Sequence, residues 1–171
     1  MRLIPTALVL CLASIPALAA AHKNAIVVPI KTSTGEDAGT ATFTPSKKGV
    51  HLKLDLKNLP VGEHGVHVHA SPHCDPPDFK TAGGHFNLEN KHHGFLSADG
   101  PHTGDLPNVD TPPSGPIHFE FLLADVSLKG RNALLDADGA AIIVHSARDD
   151  YATDPAGNSG ARMACGVIAL R

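Results

Sequence analysis

Two histidines, His67 and His69, are separated by a single valine. In a β-strand, residues i and i+2 point to the same face of the sheet, so one strand would present both imidazoles side by side. Imidazole is a ligand that both copper and zinc accept. The pair therefore predicts half of a metal site, held by a rigid element.

More candidate ligands follow along the chain, and one of them is a carboxylate. They are His85, His93, His102, Asp105 and His145. With the first pair they make six imidazoles and one carboxylate, which is enough for two metal ions. Imidazoles combined with a carboxylate in tetrahedral geometry are typical of zinc. His85 lies between the two sets, and a deprotonated imidazole can bind one metal through each nitrogen.

The elements that must position these ligands are mostly short β-strands. In the segment 51–56 leucines alternate with polar residues, so the leucines would face a core and the polar residues would face water. Similar runs predict strands at 25–30, 40–44, 50–56, 65–69, 117–122, 141–145 and 165–169. Regularly spaced short strands with turn signals favour an antiparallel sandwich or barrel.

Two stretches lack this pattern. The segment 70–116 is rich in Pro and Gly, shows almost no strand pattern, and carries four of the seven candidate ligands. A loop of this length in a compact domain is usually functional or disordered, and bound metal would supply order that packing cannot. The segment 146–161 is a second such loop, rich in Asp, Gly and Pro.

The N-terminus has the pattern of an export signal. Arg2 precedes an apolar run, and Ala17-Leu18-Ala19 fits a small-x-small cleavage site. We therefore expect a signal peptide over 1–19, with cleavage that could extend to 21, followed by one domain over 22–171. The run is short for a membrane span and no stop-transfer charges follow it.

Charge and cysteine content narrow the classes of partner and compartment. Loss of Arg2 would leave 13 basic residues against 17 acidic ones, a net charge of −4, which argues against nucleic acid or an anionic membrane as partner. Of the three cysteines, Cys74 and Cys165 would remain after removal of the signal. An even pair in an exported chain predicts one disulfide, worth about 4–5 kcal/mol in the chain-entropy model. Two buried free thiols are the alternative.

The expected mature terminus suggests an additional site. Cleavage after Ala19 would leave Ala20-Ala21-His22, whose amine, two amides and imidazole can surround Cu(II) or Ni(II) in a plane. The hypothesis is an auxiliary copper site there. Cleavage after Ala21 would instead make His22 the first residue.

From 25 to 169 the chain resembles the copper/zinc superoxide dismutases, of bacterial periplasmic type. The matching segments are 64–69, 82–87, 91–94, 102–106, 144–145 and 162–168, in the family's order. The spacings also fit, with 8 residues from His85 to His93 and 9 from His93 to His102. The resemblance implies an all-β, eight-stranded Greek-key β-sandwich or barrel, immunoglobulin-like, with long metal-binding loops.

The resemblance also implies a role for each matching residue. Copper would be bound by His67, His69, His85 and His145, and zinc by His85, His93, His102 and Asp105, with one Cu cation and one Zn(2+) per subunit. Arg162 and the bridging His85 would be the catalytic residues, with Arg162 docking the anionic substrate. Asp149 would join a copper histidine to a zinc histidine, Cys74 and Cys165 would form the disulfide, and His64 would tie a loop.

Local alternatives to these roles stay open at this point. Arg162 could be a structural residue that ties down a loop. Asp149 could simply cap a turn. His92, next to His93, is a rival ligand that the spacing disfavours, while His51 and His118 are expected on strand faces in water.

The implied activity is dismutation of superoxide to oxygen and hydrogen peroxide, in the periplasm or outside the cell. Superoxide would be the substrate, with no nucleic acid and no stable membrane anchor, and a homodimer is a possible assembly. The alternative is a non-catalytic copper- and zinc-binding or copper-chaperone-like protein on the same fold. Such relatives typically lose copper ligands or the arginine, and this chain has both.

Overall fold

The computed structural model describes residues 24–136 and 139–170, and within them the chain forms nine β-strands, one 3-10 helix and no α-helix. The strands are β1 (Ile26–Thr32), β2 (Asp37–Ser46), β3 (Gly49–Leu56), β4 (Gly62–His64), β5 (Val66–His69), β6 (Val109–Thr111), β7 (Ile117–Ala124), β8 (Ala140–His145) and β9 (Arg162–Ile168). The 3-10 helix spans Lys80–Ala82. The predicted all-β class is confirmed.

Seven of these strands form one antiparallel sheet in the order β5-β8-β9-β1-β2-β3-β7. Two of the predicted strands form a hairpin, in which β2 pairs with β3 from Gly39 opposite Leu56 to Ser46 opposite Gly49. The two remaining strands, β4 and β6, pair with each other.

The core lies on one face of the large sheet, which curls around it. Leu52, Leu54 and Leu56 are buried while Lys53 on the opposite face is exposed, as the alternation predicts. The two edge strands contribute to the same buried cluster, β5 through Val66 and β7 through Leu123. Strands at opposite edges can meet in this way only when the sheet bends into a barrel.

The described residues form nine strands, one more than the eight that the resemblance implies: seven build the large sheet, as many as the runs predicted from the pattern, and the other two have three residues each. β4 lies just before β5, and β6 lies inside the stretch 70–116 that the sequence predicts to be nearly free of strands. Three residues are too few to show an alternating pattern, so these strands depend on pairing with each other. The long loop is therefore shorter than predicted, ending at Val109 rather than Pro116.

The predicted disulfide is confirmed. Cys74 and Cys165 are bonded, with 5.7 Å between their Cα atoms and 91 residues between them in sequence. The bond fastens the start of the long loop to β9. It also adjoins a small buried cluster that includes Phe79 and Ile143.

The predicted signal peptide over 1–19 and the His22 site lie outside the described residues and stay predictions. Within the described part of the chain, no helix has the length and apolarity needed to cross a membrane.

Candidate metal centre

The side chains of β5 point alternately to two sides of the strand, and both sides are buried. Val66 and Val68 belong to the hydrophobic core, and His67 and His69 alternate with them and point to the other side. Neither histidine has exposed surface. The predicted i, i+2 pair of imidazoles is therefore present on one strand, covered by the loops.

The long loop reaches these histidines by pairing with the free edge of β5. The Val68 N–H donates to the Gly104 carbonyl at 2.8 Å, and the Phe86 N–H donates to the Val68 carbonyl at 2.8 Å. As a result, His85 lies opposite His69, and Asp105 lies opposite His67. Backbone hydrogen bonds thus place two loop ligands beside two strand ligands.

His145 joins the group from the neighbouring strand. It is the last residue of β8, which pairs with β5, and its N–H donates to the Gly65 carbonyl at 2.9 Å. A register shift between Val144 and His145 marks the point where β8 stops following β9 regularly. Such an irregularity re-aims a side chain at a strand end.

Two overlapping groups of potential ligands result. In each group the ligand atoms all lie within 4.8 Å of one another. The first group is His67, His69, His85 and His145, and the second is His67, His85, His93 and Asp105.

Unpartnered nitrogens show that the first group fits a cation. Each of its four histidines has one buried nitrogen without a hydrogen-bond partner: Nδ1 of His67 and Nε2 of His69, His85 and His145. Buried polar atoms almost always have a partner. Four such nitrogens converging in one place fit a metal ion that imidazole binds, copper or zinc.

The other nitrogen of His85 faces the second group. His85 Nδ1 lies 2.8 Å from Asp105 Oδ1 and 3.2 Å from His102 Nδ1. His93 Nδ1 lies 3.1 Å from Asp105 Oδ2. His102 therefore adjoins this group without being one of its four members, and His85 presents one nitrogen to each side. Three imidazoles and a carboxylate are a donor set that fits zinc.

Burial keeps three imidazoles of the first group neutral, those of His69, His85 and His145. It lowers the pKa of His69 to about 2, that of His145 to about 3 and that of His85 to about 4. Neighbouring histidines lower all three further, whereas Asp105 partly opposes the shift at His85. A neutral imidazole has the free lone pair that a metal needs.

The second group has the opposite electrostatic character. Burial disfavours a charged His93, but hydrogen bonds to Asp105 and Asp149 outweigh it and raise the pKa of His93 to about 9. Burial likewise opposes ionisation of Asp105, and hydrogen bonds from His85 and His93 nevertheless hold its pKa far below the usual range. The carboxylate is therefore ionised and supplies one negative charge to this site.

Asp149 connects the two groups. Its carboxylate is fully buried and accepts a hydrogen bond from His67 Nε2 at 2.8 Å and one from His93 Nε2 at 3.0 Å. Burial opposes its ionisation, and these two bonds outweigh burial and lower the pKa of Asp149. A carboxylate on the outer nitrogen of a ligand histidine fixes the ring's orientation and tautomer.

A glycine makes room for this carboxylate. Gly157 has a φ of +64°, and a Cβ at that position would overlap the Asp149 carboxylate and lie 2.7 Å from His93 Nε2. Its backbone therefore passes closer to the site than any other residue would permit.

Arg162 is anchored next to the first group. Its Nη1 donates to the Phe79 carbonyl at 2.8 Å and its Nη2 to the Gly83 carbonyl at 2.7 Å. The Gly83 carbonyl also accepts from His69 Nδ1 at 2.9 Å. Arg162 and His69 are thus fixed to the same peptide group, in the loop that the disulfide fastens.

An open cavity of about 420 Å³ leads to this arrangement. It is lined by Arg162 and by His69, His85 and His145, and Pro155 and Gly160 form part of its wall. A small anion entering it would meet the guanidinium and three imidazoles of the first group together.

Several histidines lie elsewhere. His92 is 62 % exposed and pairs with Asp154 and Asp99 at the surface, so the rival to His93 lies outside both groups. His118 is exposed on β7, as predicted. The ring nitrogens of His64 contact the Pro60 and His145 carbonyls, in keeping with its predicted loop-tying role.

Some residues that shape the site have no signal in the sequence. Buried Ser159 lies with its hydroxyl 3.0 Å from His145 Nδ1, and Asn108 binds the backbone of Asp149. Neither residue matches a ligand motif. Asn108 could have been noticed only because it lies three residues after Asp105. Ser159 could have been noticed only because it lies in the Asp- and Gly-rich loop 146–161.

The fold and the site together define a metalloprotein on a Greek-key β-barrel, with two adjoining imidazole-rich groups. Residues 37–168 match the model of the copper/zinc superoxide dismutase family. The chain belongs to this family, and it is therefore an oxidoreductase whose substrate is superoxide.

Relatives and solved structures agree with this assignment. A copper-zinc superoxide dismutase of Caulobacter vibrioides is 47 % identical over 143 residues, covering 81 % of this chain and 82 % of that protein. One from Aquifex aeolicus is 44 % identical over 142 residues, covering 81 % and 84 %. The Brucella abortus enzyme superposes with a TM-score of 0.69 at 29 % identity, covering 84 % of this chain and 99 % of that one.

A superoxide dismutase-like protein from Bacillus subtilis, solved as a double mutant, superposes with a TM-score of 0.81 at 38 % identity. The alignment covers 84 % of this chain and 97 % of that one. The fold is therefore shared by proteins named as enzymes and by one named only as enzyme-like.

Proposed function

We propose that each chain binds one copper and one zinc ion and dismutates superoxide at the copper. The copper ligands are His67, His69, His85 and His145, and the zinc ligands are His85, His93, His102 and Asp105. The observation that carries this assignment is the set of four buried, unpartnered nitrogens that converge beside Arg162.

The reaction consumes two superoxide ions and two protons and yields one oxygen molecule and one hydrogen peroxide. When bound, copper supplies the one-electron redox chemistry of both half-reactions. The chain must bind the anion, hold a proton near it and keep the ligand rings in place.

Arg162 binds the substrate anion. Two of its N–H groups are committed to the Phe79 and Gly83 carbonyls, which fixes the plane of the guanidinium. A fixed fork of donors with a permanent charge suits a small anion. These two bonds tie Arg162 to the loop, as the structural alternative expects. They also fix the direction in which the guanidinium points.

His85 would hold the transferable proton at Nε2 when that nitrogen is not a copper ligand and its Nδ1 is a zinc ligand. This nitrogen is buried and unpartnered, and His85 lines the cavity that Arg162 also lines. His85 Nδ1 lies 2.8 Å from Asp105 Oδ1, on the side where zinc would be held, so the ring would keep its orientation whether or not Nε2 carries a proton. The proton can then pass to reduced oxygen without a large movement.

The test is superoxide consumption by the purified mature protein, paired with its metal content. We expect one copper and one zinc per chain, with Arg162→Ala lowering kcat/KM about tenfold or more and weakening its salt dependence. Arg148→Ala is the matched control, because Arg148 is exposed and pairs with Glu63 at 3.4 Å. Zinc without copper, and no turnover after copper is added, would favour the non-catalytic metal-binding alternative.

Export is part of the same proposal. We expect removal of residues 1–19, or of a segment extending to 21, and action of the mature domain in the periplasm or outside the cell. The Cys74–Cys165 bond supports an oxidising compartment. Mass spectrometry of the exported protein reads the cleavage site, and an uncleaved chain would contradict the signal peptide. Sedimentation of the same sample tests for a homodimer.

A further inference from the structure

The loop 146–161 is fastened to the long loop through Asn108. The Asn108 side chain makes two hydrogen bonds with the backbone of Asp149: its Nδ2 donates to the Asp149 carbonyl at 2.9 Å, and its Oδ1 accepts the Asp149 N–H at 2.8 Å. Two bonds to both sides of one residue fix its position and its rotation. The Asp149 carboxylate between His67 and His93 is therefore oriented through Asn108.

Tyr151 forms hydrogen bonds with both Asn108 and Asp149. Its hydroxyl oxygen accepts the Asn108 N–H at 2.7 Å, and its own N–H donates to Asp149 Oδ1 at 2.7 Å. Asp149 Oδ1 also accepts from His93 Nε2. A shift of Tyr151 would therefore reach the same carboxylate oxygen that orients the histidine.

The surroundings of Tyr151 hold it in an uncommon conformation. Its φ is +63°, in the left-handed region that few non-glycine residues adopt. Its ring packs edge-on against Phe95 with 5.5 Å between centroids, and its carbonyl accepts the Leu96 N–H at 2.9 Å. A Cβ at Gly94 would overlap that carbonyl, so the two loops approach as closely as a glycine permits.

We propose that Tyr151 is a positioning residue for the metal centre: its hydroxyl holds Asn108, and Asn108 holds the Asp149 carboxylate between His67 and His93. This role deepens the proposed function and rests on it. Because Asp149 contacts histidines of both groups, loosening Tyr151 would affect how tightly the protein retains zinc.

The first experiment measures zinc release from zinc-loaded protein into an excess of a chromophoric chelator. Tyr151→Phe removes only the hydroxyl and keeps the ring against Phe95. Loss of partners behind a ligand typically costs 10–100-fold in affinity, so one step further away we expect release about 3–10-fold faster. Thr153→Val is the matched control: it removes a hydroxyl of the same loop that donates to Asp150 rather than to Asn108.

A double-mutant cycle separates this path from a general loss of stability. Asn108→Ala removes the link to Asp149, so adding Tyr151→Phe to it should leave the release rate nearly unchanged. Independent effects would instead multiply. Multiplying effects, or equal release by Tyr151→Phe and wild type, would overturn the role of Tyr151.

Cobalt(II) in place of zinc gives a second readout. Its visible spectrum depends on ligand geometry, so we expect a shifted spectrum in Tyr151→Phe and a wild-type spectrum in Thr153→Val. A residue that only stabilised the fold would lower the free energy of unfolding and leave the spectrum unchanged, which would contradict the proposal.

The wild type itself provides a check that needs no variant. The chain has one tyrosine and no tryptophan, so its tyrosine emission reports Tyr151 alone. Adding zinc to metal-free protein should reduce quenching of this emission by acrylamide, and unchanged quenching would count against the proposal. Metal content and turnover of the wild type are measured in the same preparation. A failure there contradicts the proposed function, whereas a failure confined to the variants contradicts only the role of Tyr151.

Discussion

At the scale of single residues, the Asp149 carboxylate determines how the two groups of ligands face each other. It accepts one hydrogen bond from His67 and one from His93, and it has no exposed surface. The first bond leaves His67 Nδ1 without a hydrogen-bond partner, and the second leaves His93 Nδ1 facing Asp105 Oδ2 at 3.1 Å. One carboxylate thus orients the rings of two histidines at once.

We expect Asp149→Asn to weaken metal binding about 10–100-fold, because an amide cannot accept strongly from both rings. Competition with a chelator of known affinity measures the change for copper and for zinc. Asp150→Asn is the control, since Asp150 is the neighbouring carboxylate and bonds within its own loop to Ala152, Thr153 and Asn158. Equal affinities in the two variants would contradict the role of Asp149.

At the scale of elements, the strands keep the two faces of the barrel separate. β3 places leucines in the core and polar residues in water, and β5 uses the same alternation to place valines in the core and histidines in the metal centre. The metal centre is therefore built on the outside of a packed sheet. Loops cover it and supply its remaining ligands.

Truncation in β3 tests this division. Leu54 is fully buried, and Leu54→Ala should lower the free energy of unfolding by about 2–5 kcal/mol, because it removes buried surface and leaves a cavity. Lys53→Ala on the opposite face should change it by no more than about 0.5 kcal/mol. Denaturant unfolding measures both, and similar losses in both would show that the two faces are not separated as described.

The disulfide acts on a loop and on the site together. Replacing Cys74 and Cys165 by serine should lower the free energy of unfolding by about 2–5 kcal/mol. It should also lower kcat/KM, because Arg162 is anchored to Phe79 and Gly83 in the loop that the bond fastens. Wild type kept in reductant should behave like the double variant. Unchanged kcat/KM would indicate that the loop keeps its position without the bond.

At the scale of the whole molecule, the metal centre is a weak point of the metal-free fold. Four buried histidine nitrogens of the first group lack a hydrogen-bond partner, and the ligands come from β5, β8 and the long loop. A bound ion would satisfy these atoms and join the three segments. Metal binding and stability are therefore coupled, since the unfolded chain has no preformed site.

Removal of metal should accordingly lower the melting temperature, and zinc should restore it. At a free concentration a thousandfold above the dissociation constant, one ion contributes about 4 kcal/mol. Calorimetry measures the shift, with magnesium at the same concentration as the control, because magnesium prefers oxygen ligands. An identical rise with magnesium would point to an effect of ionic strength instead.

Net charge is the other property of the whole molecule that bears on activity. The full chain carries −3 at pH 7, which repels a superoxide ion at long range. At physiological salt such repulsion is screened beyond about 8 Å. Capture of the substrate therefore depends on the charge of Arg162 within the cavity.

The sequence by itself determined the elements with a repeating pattern and the ligands within them. The alternation in 50–56 predicted β3, the single-residue spacing predicted that His67 and His69 share a face, and the even pair of cysteines predicted the disulfide. These features follow from local geometry: a strand repeats every two residues, and burial of one face makes that repeat visible.

Tertiary structure alone decided the rest. β4 and β6 exist only as partners of each other, Asp149 is aimed by Asn108, and Gly157 matters only because a distant carboxylate lies against it. The loops that carry these residues bury little apolar surface and so leave no periodic signal. Their conformation depends on backbone and side-chain hydrogen bonds between segments some 40 residues apart, as between Asn108 and Asp149, which no local pattern can reveal.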